Sequence, residues 1–395
     1  MENNWKTISF DQICDITRGA SPRPIQEHLV DNGTPWVKIA DATKSPSRYI
    51  TDTKEFIKPE SEKNSRIVYP GELIVSNSAT PALPRFLKIR ACVHDGWLIL
   101  RNIRNVCPEF LYYKIEKERE ALLMKGNGAI FTNLKTEILK EHEIQLPPLP
   151  EQKAIASVLS SLDDKIDLLH QQNQTLEALA ETLFRQWFVE EAKEDWEEIR
   201  IGDLDIYISD YVANGSFASL KDNVKLINDG VGYALFIRNT DLKSDFNQKV
   251  YVDEHSYNFL SKTKLYGGEI IISNVADVGS VHICPNFDIP MTLGNNVIML
   301  KSEYNYFLYL FFNSNVGQDL MYGITSGSVQ QKFNKTDFKN IKITIKDKNQ
   351  LIDFHNYVSI YFDKIESNKQ QIKTLTKLRD TLLPKLMSGE VRVKL

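Results

Sequence analysis

Several segments of this 395-residue chain carry side chains able to recognise a nucleic acid. Thr17–Pro24 presents Arg18 and Arg23 on a stretch stiffened by Pro22 and Pro24. A guanidinium can donate two parallel hydrogen bonds to a guanine edge. Arg85, Lys88 and Arg90 follow a proline-rich loop. Lys125–Phe131, with Asn127 between two glycines, lets backbone approach a phosphate. Farther along, the counterparts are Asn214–Lys221, offering Asn214, Ser216 and Lys221, and Ser326–Lys332, offering Ser328, Gln330, Gln331 and Lys332. There the glycines give the turn, and Asn, Gln and Ser supply base-edge hydrogen bonds. Lys38 and Arg238 take matching positions on a strand, as phosphate or groove contacts or as solvated charges on an outer face. For each residue alone, a surface-loop role unrelated to bases stands beside the reading role.

No site for covalent chemistry accompanies these residues. The chain has no GxxxxGK[ST] phosphate loop, so ATP hydrolysis is not expected of it. Asp229-Gly230-Val231-Gly232 lacks the third glycine and the helix of a dinucleotide fingerprint and reads as a loop. The Asn/Asp-Pro-Pro-Tyr/Phe motif of amino-methyltransferases is missing. Seven histidines show no metal-ligand spacing, and the acidic residues form no nuclease constellation, so neither catalytic nor metal-binding residues are expected. Cys14, Cys92, Cys107 and Cys284 are scattered without a CxxC pair, which fits a reducing cytoplasm better than a disulfide framework. No apolar run is long enough to span a bilayer, and MENNWKTISF does not read as a secretory signal. Lys and Arg number 48 against 52 Asp and Glu, a net charge of −4, so any phosphate-binding surface must be local.

The elements that position the loops occur twice, with a period near 200 residues. Asn4–Phe10 recurs loosely as Asp195–Ile201, and Val37–Asp41 as Ile237–Asp241. The clearest match sets Tyr69-Pro70-Gly71-Glu72-Leu73-Ile74-Val75-Ser76-Asn77 against Tyr266-Gly267-Gly268-Glu269-Ile270-Ile271-Ile272-Ser273-Asn274, each a turn leading into a strand. Two domains that read different sequences share scaffold and differ where they touch bases. The common Ser76-Asn77 and Ser273-Asn274 therefore read as structural.

Each half closes on a long helical pattern. Ile155, Leu159, Leu162, Ile166, Leu169, Asn173, Leu176, Ala180 and Leu183 step alternately by four and three. Phe354, Val358, Tyr361, Ile365, Asn368, Ile372, Leu375, Arg379 and Leu382 do the same, in the same phase. This is a heptad seam. Asn173 and Asn368 either fix its register or face solvent where it opens. Pro150-Glu151 suits the first turn of one helix, Asp347 or Asn349 can cap the other, and the second should end or kink near Pro384 and stop by Gly389. Shorter helices are expected over Glu109–Met124 and Tyr304–Tyr322. Glu190–Glu198 is an acidic joint.

The fold class that follows is α+β, with two strand-rich domains separated by two long helices. Domains at 1–147 and 194–346 alternate with helices at 148–193 and 347–395. Paired antiparallel as a coiled coil, the helices make the tandem repeat a pseudo-twofold object. A helix of about 35–40 residues runs roughly 50–60 Å, enough to hold two readers about one DNA turn apart.

Leu146–Ala156, Leu162–Asp167, Leu183–Phe188 and Lys377–Val391 resemble the specificity (S) subunits of type I restriction–modification enzymes. The order of two variable domains and two helices extends that resemblance over the whole chain. Lys346–Gln350 departs from it, since the family often repeats the Pro-rich helix start there. The resemblance implies two target-recognition domains that each read a few base pairs of double-stranded DNA. It implies a helix pair that sets the spacer and docks two methyltransferase subunits, with restriction and motor subunits joining them. S-adenosylmethionine, ATP and Mg would then act only in the partners, where the adenine is flipped for methylation. The alternatives are a stand-alone DNA-binding regulator whose helices dimerise, and an unrecognised DNA-modifying enzyme.

Overall fold

The computed structural model describes residues 5–44, 46–124, 133–244, 246–327 and 330–394. They form two compact units, the first discontinuous in sequence, residues 1–171 with 368–395, and the second continuous, residues 172–367.

In the first unit, strand Lys6–Ser9 pairs antiparallel with Glu143–Leu146, placing Ile8 opposite Ile144. Between them lie two five-stranded sheets. The central sheet runs in the order Asp15–Arg18, Trp97–Arg101, Leu73–Ser76, Pro84–Leu87, Tyr49–Ile50. The other runs Leu29–Val30, Glu55–Ile57, Thr34–Val37, Ala91–Val93, Arg66–Val68. Alternate residues of a strand face opposite sides. Ile74 and Ile99 accordingly join Val37, Val68 and Val93 in one core, while Leu73, Val75, Leu98 and Leu100 pack with Phe110, Ile115, Ile155 and Leu159 in another. Burial on both faces explains why Leu73–Val75 and Leu98–Leu100 are unbroken apolar runs.

The second unit repeats this plan. Glu197–Arg200 pairs with Lys342–Ile345. Its central sheet runs Tyr207–Asp210, Val297–Lys301, Ile270–Ser273, Val281–Ile283, beside a five-stranded sheet that holds Ala234–Ile237 and Met291–Leu293 in parallel. The repeat extends to single bonds. Tyr69 N donates to the Glu72 carboxylate at 2.8 Å, and Tyr266 N to that of Glu269 at 2.9 Å.

The two long helices are Leu149–Arg185, prolonged by a π-helical turn at Gln186–Glu190, and Lys348–Ser388. Asp347 caps the second, its carboxylate accepting from Gln350 N at 2.9 Å, so a single Asp starts the helix where a proline run was absent. That helix continues through Pro384 and stops at Ser388, before Gly389 at φ +75°. Every seam position named above is buried or half-buried, with Asn173 and Asn368 7% and 0% exposed. The solvent-facing reading of these asparagines is thereby removed.

Within each unit the two helices run antiparallel. In the first, Asp163 meets Arg379, and Glu151 near the start of one helix meets Arg392 just past the end of the other, so the two run in opposite directions. In the second, Phe184 and Phe188 pack on Phe354, and the Trp187 ring lies against Phe354 and Tyr357.

Helix Pro108–Met124 matches its expectation. The helix expected over Tyr304–Tyr322 is broken into Asn305–Asn313 and Asn315–Gly323. Ser314 ends one and caps the next, accepting from Gly317 N at 3.2 Å. A Cβ on Gly317 would lie 2.1 Å from the Phe311 carbonyl oxygen, so only glycine lets the two pieces meet.

Candidate nucleic-acid interface

In the first unit the Thr17–Pro24 segment and Lys38 meet at one end of the central sheet. Antiparallel pairing puts Arg18, Ser76 and Trp97 at the same end. There Gly19 N donates to Trp97 O at 2.8 Å, Asn77 N to Gly96 O at 2.7 Å and Leu134 N to Asn77 O at 2.6 Å. A Cβ on Gly19 would lie 2.2 Å from the His94 carbonyl oxygen, so the turn at 94–96 sits directly on the Arg18 loop. This rim gathers Arg18, Ser21, Arg23, Lys38, His94 and Asp95.

Its hub is Asp95. Arg18 Nε donates to the Asp95 carbonyl at 2.7 Å, and Arg23 Nη2 and Ser21 Oγ donate to its carboxylate at 3.1 and 2.7 Å. The Ser21 hydrogen bond first, with the charge of Arg23 adding to it, holds this carboxyl below the usual carboxylate range. The arginine side chains remain 59% and 77% exposed. A cleft of about 880 Å³ opens beside them, lined among others by Trp36, Lys38, Glu55 and His94. Burial pushes the His94 imidazole below its ordinary value, and its Nδ1 accepts from Gly96 N at 2.7 Å.

Lys38 is not on a strand. Thr34–Val37 ends one residue earlier, and Lys38 is the N-cap of helix Ile39–Thr43, its backbone N–H bonded to Asp41 and its Nζ to Glu55 at 2.6 Å. Arg238 likewise caps helix Asn239–Lys243, and its guanidinium reaches Asp241 at 2.6 Å.

Arg85 and Lys88 do not join the rim. Arg85 lies on a strand rather than in a loop and is only 7% exposed. Its guanidinium is committed to the Ala42 and Pro84 carbonyls and to Glu116 at 3.5 Å. An interior charge of this kind is held by its partners and cannot reach a groove. Lys88 follows Leu87 at the opposite end of the sheet, its ammonium 4.1 Å from the centre of the Tyr49 ring. Asn127 and its loop lie outside the described residues.

The second unit builds the equivalent rim from other side chains. Asn274 N donates to Asn296 O at 3.2 Å and Phe333 N to Asn274 O at 3.1 Å, as at Asn77. Ala276 N donates to Gln331 O at 3.0 Å, and Ser326 and Lys332 exchange backbone hydrogen bonds. This anchors the loop whose exposed residues include Gln330, Gln331 and Lys332; Ser328 lies outside the described residues. Lys335 bonds Asp210 at 3.0 Å, and Lys243 bonds Asp277 at 2.7 Å.

The stretch Asn214–Lys221 is mostly not a loop. Ser216 caps helix Phe217–Asn223, accepting from Ser219 N at 3.2 Å, and Lys221 stands exposed on that helix. Asn214 is half-buried, its amide donating to Tyr211 O and Thr263 Oγ1 and accepting from Lys262 N. All of that hydrogen bonding is internal, so Asn214 fastens the segment rather than reading from it. Ser76, Asn77 and Ser273 are buried, as their structural reading requires.

The sequence matches a family twice. The type I restriction modification DNA specificity domain matches residues 2–178 and again residues 193–377.

This chain belongs to that family.

Among its relatives is the type I restriction enzyme MjaIX specificity subunit of Methanocaldococcus jannaschii, 27% identical over 99% of this chain and 94% of that protein. The EcoBI specificity subunit of Escherichia coli is 22% identical over 99% and 87%. The fold is that of the crystal structure of the type I restriction–modification S subunit from M. genitalium, with TM-score 0.61, 19% identity and coverage of 98% and 97%. This is a DNA-specificity subunit of a family that is itself non-catalytic. Among the described residues no helix is long and apolar enough to cross a membrane. In both specificity domains the strands and their turn bonds are common, and the rim residues are not. Sequence reading missed Asp95, Asp210, Asp277 and Lys335. All four are ordinary charged residues, Asp95 and Asp277 in short connections, Asp210 at a strand end and Lys335 at a helix start, and only the sheet ends bring them beside the loops.

Proposed function

We propose that the chain recognises a bipartite DNA target, each domain reading one half-site and the helix pair setting the nonspecific spacer. In this reading the helices dock two adenine methyltransferase subunits, and restriction subunits join that complex in the cytoplasm. S-adenosylmethionine, ATP and Mg act in the partners. The Arg18, Arg23, Lys38 rim serves one half-site. The Arg238, Gln330, Gln331, Lys332 rim serves the other.

One observation carries the reading. Equivalent places at the same end of duplicated sheets hold side chains of opposite sign, with Arg18 across from Leu98 in one and Asp210 across from Ile298 in the other. Asp210 also caps Tyr211–Asn214 and pairs with Lys335, but a repeat kept for stability alone has no reason to exchange the exposed Arg18 and Arg23 of one rim for Gln330, Gln331 and Lys332 on the other. Two readers of unlike sequences do.

The test is to reconstitute the chain with its methyltransferase subunits and map methylated adenines across a genome. The expected result is a single motif of two short specified blocks separated by a fixed unspecified spacer. A continuous motif, or methylation that does not depend on this chain, overturns it.

A further inference from the structure

We infer that Asp95 is a positioning residue for DNA reading by the first domain, fixing Arg18 and Arg23 so that their free guanidinium edges meet a guanine of the first half-site. The inference rests on the proposed function and adds to it a residue, a geometry and a base.

Arg18 and Arg23 reach Asp95 from opposite ends of a six-residue segment. One bonds its main chain and the other its carboxylate. Ser21, between them, donates to the second carboxylate oxygen and accepts from Asp95 N at 3.3 Å. The turn itself is pinned to the sheet, because Asn77 Nδ2 also donates to the Asp95 carbonyl at 3.0 Å. Arginine has many rotamers, and holding it in one of them before DNA arrives removes an ordering penalty from binding. Each arginine uses one N–H in hydrogen bonding to Asp95, leaving the outward part of the fork for a base. A guanine edge, with O6 and N7 acceptors side by side, fits such a fork.

An exposed carboxylate facing DNA is otherwise unfavourable. Here it lies within reach of two guanidiniums, and the cluster keeps a net positive charge. The arrangement is particular to this rim. Two residues before Val297, where Asp95 would fall, the second domain carries Asn295, and Asp210 stands in the place of Arg18. Losing Asp95 should therefore affect one half-site and not both.

The experiment is selection of bound duplexes from a randomised library with the full-length chain, comparing wild type with Asp95→Asn, Asp95→Glu and Ser21→Ala. Wild type should enrich a bipartite consensus. Asp95→Asn should lose preference at least fivefold at one or two guanine-bearing positions of one half, leaving the other half and the salt dependence unchanged. Asp95→Glu should restore part of that preference, and Ser21→Ala should weaken the same positions less. An unchanged consensus in Asp95→Asn overturns the inference, as does tighter binding to every sequence or equal loss in both halves. If Asp95→Asn fails to fold by circular dichroism, Arg23→Lys decides in its place: the same positions must weaken, and an unchanged consensus overturns the inference. A wild-type chain that enriches no bipartite consensus defeats the proposed function instead.

Discussion

Asp163 on the first long helix accepts from the Arg379 guanidinium of the second at 2.9 Å, while its other oxygen accepts from the Tyr113 hydroxyl at 2.6 Å. Arg48, 4% exposed, stands 3.9 Å from Asp163 and bonds Asp164 at 2.6 Å. One carboxylate thus ties the first domain to both helices of its unit. The second unit makes the comparable joint from rings, with Tyr306 stacked 4.2 Å from Phe362 and 4.7 Å from His355.

Removing one partner of a buried charge network strands the others. Asp163→Ala should lower stability by about 3–5 kcal/mol, measured by urea unfolding. A loss below about 1 kcal/mol, the worth of a surface pair, would show that the joint is ornamental.

Glu118 gives the acid limb of stability. The His142 imidazole 3.6 Å away, then the Lys114 and Lys117 charges, hold its carboxyl at about 2 against an ordinary 4.5. A depressed folded value means that the stabilisation is complete above the unfolded value and lost as pH falls toward the folded one. Glu118→Gln should flatten the fall in stability between about pH 5 and 2. Thermal unfolding across that range reads it out, and an unchanged slope would remove Glu118 from the account.

The four cysteines are buried and unpaired, and burial raises each thiol, that of Cys14 to about 12. Thiolate is the reactive form. Iodoacetamide at pH 8 should therefore label none of them in the folded chain and all four after denaturation, counted by mass spectrometry. Rapid labelling of the native protein would contradict this burial.

Lys332 lies on the rim of the second domain, and Lys88 at the end of the first domain's central sheet opposite its rim. Lys332→Ala should weaken DNA binding and reduce the slope of log affinity against log salt by about one, whereas Lys88→Ala should change neither. Titrations at several salt concentrations test both, and equal effects would reject the rim.

Four residues inserted into each long helix add about 6 Å, close to two base-pair steps. Mapped methylation should show a longer spacer between unaltered half-sites. Altered half-site sequences would refute the spacing role of the helices.

Much of the architecture was legible because it rests on periodicity. The heptad steps from Ile155 to Leu183 and from Phe354 to Leu382 fall on buried or half-buried residues throughout. The repeated turn and strand at Tyr69 and Tyr266 keep even their Glu hydrogen bond. Single side chains were less legible. Arg85 looked like a loop cation, yet its strand is buried on both faces, and nothing local distinguishes an arginine facing Glu116 from one facing water. Lys38 and Arg238 read as strand residues because Asp41 and Asp241, three positions on, stop the strand by capping a helix. Asp95 could not be found at all, since Arg18, Arg23 and Ser21 reach it from more than seventy positions away.

The pairing of Lys6–Ser9 with Glu143–Leu146, and of Glu197–Arg200 with Lys342–Ile345, brings the way in and the way out of each domain together as neighbouring strands. Each domain is therefore a cassette clasped at its own base. Genetic exchange with breakpoints in these clasps would replace a whole domain while leaving the long helices uncut. If each domain reads its own half-site as proposed, a new combination of targets then needs one exchange rather than a sequence of compensating point changes.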